Sequence, residues 1–127
     1  MRSARVTPGA GKLQQRVAIG PHTVVADEPR DAGDDTGPAP HDFLLAALGS
    51  CTAMTLRLYA GQKGWPLERV EVALEQAKVD AAHEIRRTVV IEGPLSAEQR
   101  ARLLEIAERC PVHRTLLGEI RIVSKLG

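Results

Sequence analysis

Alternating, helical and nearly continuous stretches of hydrophobic residues follow one another along this chain, and their order predicts its elements. Alternation comes first. Ala4 to Thr7 reads as a short strand, Pro8-Gly9-Ala10-Gly11 as a turn, and Leu13 to Ile19 and His22 to Asp27 as two strands joined at Gly20-Pro21. From Glu28 to Pro40, prolines and glycines recur among acids that repel one another, which predicts a loop. The nearly continuous stretch follows, from Gly37 to Tyr59. Pro40 suits a first helical turn, Asp42 complements the helix dipole, and the helix runs from His41 to Lys63 before Gly64 and Pro66 stop it. With Cys51 at the centre of a helical wheel, Leu44, Ala47, Leu48, Met54, Thr55 and Leu58 share its face, so Cys51 is expected to point into packing. Leu45, Ala46, Ala53, Leu56 and Ala60 fall opposite, so the helix is apolar nearly all round and calls for cover on both sides. A chain of 127 residues has little to supply that cover, which predicts a partner subunit.

Alternation returns with Val70, Val72 and Leu74 against Glu71, Ala73 and Glu75, and a second strand covers Ile85 to Glu92 after a polar turn. Ser96, with Gln99 three residues on, has the spacing of a capping box. In the helix it opens, Leu103, Ile106, Ala107 and Cys110 share a face, and Pro111 ends it. A closing strand is expected over Glu119 to Ser124. The predicted order is βββαββαβ, an α+β fold with helices packed on antiparallel sheet, in a single domain spanning residues 1–127.

Composition narrows the function classes. A 43% hydrophobic content with 26% charged residues is that of a globular protein, and a net charge of +1 gives no reason to expect nucleic acid or an anionic membrane as partner. Aromatic residues are only 2%, too few for base-stacking platforms. No apolar run is read as approaching the ~18 residues needed to span a bilayer, and the N-terminus lacks the apolar core of a signal peptide. A cytoplasmic location is therefore expected. In that reducing compartment two cysteines form a pair of core thiols or a redox couple more readily than a permanent staple.

Both readings of Cys51 and Cys110 are open on the residues alone. Free cysteine is a small hydrophobe often found in cores. A peroxide-reducing pair needs a thiolate held by positive charge, a second thiol within reach and an apolar pocket for an organic substrate. Spacing along the chain does not show whether the sulfurs meet.

The segment GPAPHDFLLAALGSCTAMTLRLYA, the later CPVHRTL and the upstream ADEP resemble the OsmC/Ohr family, the osmotically inducible and organic hydroperoxide resistance proteins. The resemblance covers nearly the whole chain and the element order. It implies an intertwined homodimer whose sheets wrap two central helices, with an active site at the subunit interface. It also implies Cys51 as the peroxidatic and Cys110 as the resolving cysteine, acting on organic hydroperoxides without haem, flavin, metal or other cofactor and recycled by a dithiol reductant. Better-known members carry one or two acids shortly after the motif's proline that hold an arginine against the reactive cysteine. Here those positions are His41 and Asp42, and on a straight helix Asp42 lies roughly 13 Å from Cys51. Arg16 is the nearest candidate for the arginine, with Arg30 second.

Three further residues complete the candidate site: His41 and Leu48 near the start of the helix, and His113 at the mouth of the thiol pocket, all as substrate contacts. Cys110-x-x-His113 has a zinc-compatible spacing, but a closed site wants four ligands, so no metal is expected. Asp27 and Glu28 are possible ion-pair partners for an active-site arginine, and Tyr59 and Trp65 read as core or interface anchors. The competing function is a non-catalytic dimeric module that binds a small apolar ligand, with both cysteines in its core.

Overall fold

A computed structural model describes all of residues 1–127. The elements run β1 (Ala4–Pro8), β2 (Gln15–Ile19), β3 (His22–Ala26), α1 (Pro40–Lys63), β4 (Arg69–Val79), β5 (Ala82–Glu92), α2 (Ala97–Ala107) and α3 (Pro111–Leu117). They fall into two compact units, Met1–Leu44 and Leu45–Gly127, and α1 begins in the first and continues in the second.

In the N-terminal unit β1, β2 and β3 form an antiparallel meander, with Val6, Val17 and Val24 in one cross-strand row. The acid-rich loop after β3 is ordered around one buried carboxylate. Asp27 accepts hydrogen bonds from the Glu28 N–H at 2.8 Å, the Thr36 N–H at 3.1 Å and the Thr36 hydroxyl at 2.6 Å, while its own N–H donates to the Pro38 carbonyl. The Thr36 hydroxyl is the main reason that the Asp27 carboxyl titrates below its usual range. These bonds hold the loop.

In the C-terminal unit β4 and β5 form an antiparallel hairpin in continuous register from Arg69↔Glu92 to Val79↔Ala82. The turn needs a left-handed residue, and Asp80 supplies it with φ of 56°. Val70, Val72 and Leu74 lie on the half-buried side of β4 and Glu71, Ala73 and Glu75 on the wet side, as the period of two predicts. The core of this unit joins Leu56 and Ala60 of α1 to Leu103, Ile106 and Ala107 of α2, with Val70, Val89 and Ile91 of the hairpin packed against them. At Gly49 the helix comes so close to β4 that a Cβ would stand 2.6 Å from Leu74 Cδ1. Ser96 caps α2, its hydroxyl accepting from the Gln99 N–H while the Gln99 side chain accepts from the Ser96 N–H.

Four expectations are corrected. The buried stripe of α1 is Leu48, Gly49, Thr52, Leu56 and Ala60, centred one position past Cys51. Met54 and Leu58, placed inward with Cys51, are 64% and 69% exposed, because a helix apolar all round has no single face that its pattern can pick out. Second, α1 is long and apolar enough to cross a bilayer by length and composition, with a mean hydropathy of 1.4 over its 18-residue window. Third, α2 stops at Ala107, and Pro111 opens a further helix instead of only ending one, since a missing N–H and a fixed φ suit the first position. Fourth, residues 119–127 form no strand, so the chain closes on α3 instead of a final β. Ile120, Ile122 and Val123 have the sequence of a strand but no ladder partner, and they stand exposed.

Candidate functional site

The two cysteines are free thiols and reach the same region of the C-terminal unit by different routes. Cys51 sits on α1, half-buried, with its sulfur 4.0 Å from the Thr55 hydroxyl on the next turn. Cys110 is fully buried at the N-cap of α3, where its sulfur accepts the backbone N–H of His113 at 3.4 Å. The residue that connects them is Thr52. It follows Cys51 in the chain, is fully buried, and its Oγ1 lies 3.8 Å from Cys110 Sγ.

Behind Thr52 stands a largely buried cation. Arg87 of β5, with its side chain only 10% exposed, donates from Nη1 to Thr52 Oγ1 at 3.0 Å. Its Nη2 donates to His113 Nδ1 at 3.2 Å and lies 3.5 Å from Glu108 Oε1. Glu108 Oε2 is 3.2 Å from His113 Nε2. Since arginine has only donors, Nδ1 of His113 is an acceptor; since the carboxylate accepts, Nε2 carries the hydrogen. Glu108 thus bridges the imidazole to the guanidinium. A cavity of about 250 Å³ opens beside the cluster, lined by Leu48, Ile85, Arg87, Glu108 and His113.

Of the residues named from sequence, Cys51, Leu48, Cys110 and His113 lie in this unit, and Leu48 and His113 line the cavity. Arg16, His41 and Asp42 belong to the N-terminal unit. Arg16 stands exposed on β2, in register with Thr7 and Val25. The Asp42 carboxylate accepts the N–H of Ala39 at 2.9 Å, which satisfies a backbone donor at the start of α1. Sequence reasoning missed Thr52, Arg87 and Glu108. The signal for Arg87 was present: Ile85, Arg87, Val89 and Ile91 form one period-two row, and an arginine in an apolar row marks a buried charge with a partner. No group of three or more His, Cys, Asp and Glu side chains is arranged to hold a metal ion.

Comparisons with known proteins find one relative in sequence, several of the same fold, and one matching family model. A protein of Haloferax volcanii is 32% identical over 96 residues, covering 72% of each chain. An OsmC like protein from Mycoplasma pneumoniae has a TM-score of 0.73 at 20% identity, covering 91% of this chain and 88% of its own. An organic hydroperoxide resistance protein from Legionella pneumophila has a TM-score of 0.69 at 20% identity, over 93% and 90%. The organic hydroperoxide resistance protein of Bacillus subtilis has a TM-score of 0.61 at 23% identity, over 91% of each chain. At such identities these structures establish the shared fold. The family model for OsmC-like proteins matches residues 33–125, which includes both cysteines, and the chain belongs to the OsmC-like family.

Proposed function

We propose that the protein is a thiol-dependent reductase of organic hydroperoxides that works through Cys51 and Cys110. The observation that carries this reading is the placement of Thr52, the neighbour of Cys51, against the sulfur of Cys110 at 3.8 Å. Two solved relatives of the same fold are named for organic hydroperoxide resistance, which supports the choice of substrate class.

In this reading the Cys51 thiolate attacks the O–O bond, the alkoxide leaves as alcohol, and Cys51 becomes a sulfenic acid. Cys110 then attacks that sulfur. An S–S bond forms, the S–O bond breaks, and the hydroxyl leaves as water with the thiol's proton. A dithiol reductant reopens the disulfide. Access assigns the roles, since Cys51 is half-buried and Cys110 is closed to solvent, so a bulky hydroperoxide is suited to meet Cys51 first. Cys110 lies beyond the end of α2 at the start of α3, where its sulfur accepts a backbone N–H. Leu48 and His113, which line the cavity, are proposed to contact substrate. The setting proposed is a homodimer in the cytoplasm, where dithiol reductants are at hand.

The test is hydroperoxide consumption with titration of free thiols before and after. Loss of two thiols per chain, restored by a dithiol, is the expected result. Unchanged thiols with cumene hydroperoxide in excess would sink the proposal.

A further inference from the structure

We infer that Thr52, held by Arg87, is the positioning residue for Cys110 in disulfide closure, an inference that rests on the two-cysteine reading above. The hydroxyl of Thr52 has three neighbours. It donates its one hydrogen to the Leu48 carbonyl at 2.7 Å, accepts from Arg87 Nη1 at 3.0 Å, and faces Cys110 Sγ at 3.8 Å. With the hydrogen committed to Leu48 and the guanidinium able only to donate, the free lone pair of Thr52 faces the sulfur, so at rest the S–H donates to it. The backbone N–H of His113 donates to the same sulfur. The thiol is thereby fixed in direction by two bonds, one from α1 and one from α3.

A buried threonine in a helix often bonds the carbonyl four residues back, and that bond requires neither an arginine nor a cysteine. Here a guanidinium with a 10% exposed side chain is directed at the hydroxyl. Burying that charge is costly unless something uses or compensates it. Glu108 compensates from one side, but its own side chain is 63% exposed, so part of the positive charge is left facing Thr52 and the sulfur beyond. That arrangement fits the closing step. As Cys110 gives up its proton and attacks the Cys51 sulfenic acid, the Thr52 O–H turns from Leu48 to the sulfur, and Arg87 continues to donate to the oxygen from behind. Glu108 and His113 set the position of Arg87.

The experiment separates the hydroxyl from the packing it comes with. Thr52→Val keeps the shape and loses the hydroxyl; Thr52→Ser keeps the hydroxyl and loses a methyl. Closure is driven by one equivalent of cumene hydroperoxide and, separately, by diamide, which oxidises two thiols to a disulfide as its N=N bond is reduced to a hydrazine. Disulfide is followed by non-reducing mass analysis on protein checked for a native circular dichroism spectrum. Thr52→Val is expected to close about tenfold more slowly with both reagents and to accumulate a dimedone-trappable sulfenic acid with the hydroperoxide, with Thr52→Ser close to the parent. Arg87→Met is expected to follow Thr52→Val. Closure of Thr52→Val at the parental rate, or of Thr52→Ser as slowly as Thr52→Val, overturns the inference. A parent that closes with diamide but leaves hydroperoxide untouched overturns only the peroxidase reading. No closure with either reagent overturns both.

Discussion

Cys51 and Cys110 carry the same atom in different surroundings, and the difference sets what each variant should do. Cys51→Ser is expected to abolish hydroperoxide consumption. Cys110→Ser is expected to allow one turnover and leave a sulfenic acid on Cys51 for a dimedone probe. Parental consumption by Cys51→Ser, or labelling of Cys110 alone in the parent, would reverse the assignment. Asp27 supplies a second prediction at this scale. Its folded-state titration is depressed, so its bonds to Thr36 and Glu28 contribute in full above the ordinary aspartate value of about 3.9 and fade as pH falls through the lower folded value. Hydrogen exchange at the Thr36 amide is therefore expected to lose protection on acidification below about pH 4. In Asp27→Asn that pH dependence should vanish, and its persistence would locate the titrating group elsewhere. The cysteines were legible as chemistry because few residue types do thiol chemistry. Thr52 was not, because a threonine in an apolar helix looks like any helical threonine until its partners on β5 and α3 are in place.

The elements that were legible are those whose signal is local. The Ser96 and Gln99 box and the alternation of β4 each specify one conformation within a few residues, and both formed as read. Pro111 was read half correctly, since the same missing N–H that stops one helix suits the start of the next. The face of α1 was not legible, because what selects it lies outside the helix: β4 approaching Gly49, and Arg87 reaching Thr52. Local geometry also makes Gly93 a clear test of the hairpin's end. Its φ of 140° is outside the range of ordinary L-residues, and a Cβ there would run into the Pro66 carbonyl oxygen. Gly93→Ala is expected to cost at least about 2 kcal/mol, read as a fall in melting temperature of several degrees. An unchanged melting temperature would mean that this turn relaxes without strain.

At the scale of the whole molecule, one chain leaves apolar surface that water does not suit. On α1, Met54 and Leu58 are largely exposed in the middle of a helix whose other side is core. At the other end of the sequence, Ile120, Ile122 and Val123 stand exposed in a segment with strand-like sequence and no strand beside it. Scattered apolar residues on a surface are ordinary, but an apolar helical face and an unpaired apolar segment together are what a subunit interface leaves behind when one subunit is viewed alone. In the proposed dimer a second copy would cover the first by packing helix against helix, and it could give the segment a strand to pair with. The expectation is a dimer that persists at low micromolar concentration and whose melting temperature rises with protein concentration, as linkage requires when folding and association are coupled. Leu58→Glu places a charge in the proposed helix contact and is expected to shift sedimentation toward monomer or to prevent folding, whereas exposed Glu75→Gln on the wet side of β4 should change neither. A parent that sediments as a folded monomer at low micromolar concentration, with a melting temperature independent of concentration, would show that one chain tolerates this surface in water, and α1 would then need a different occupant.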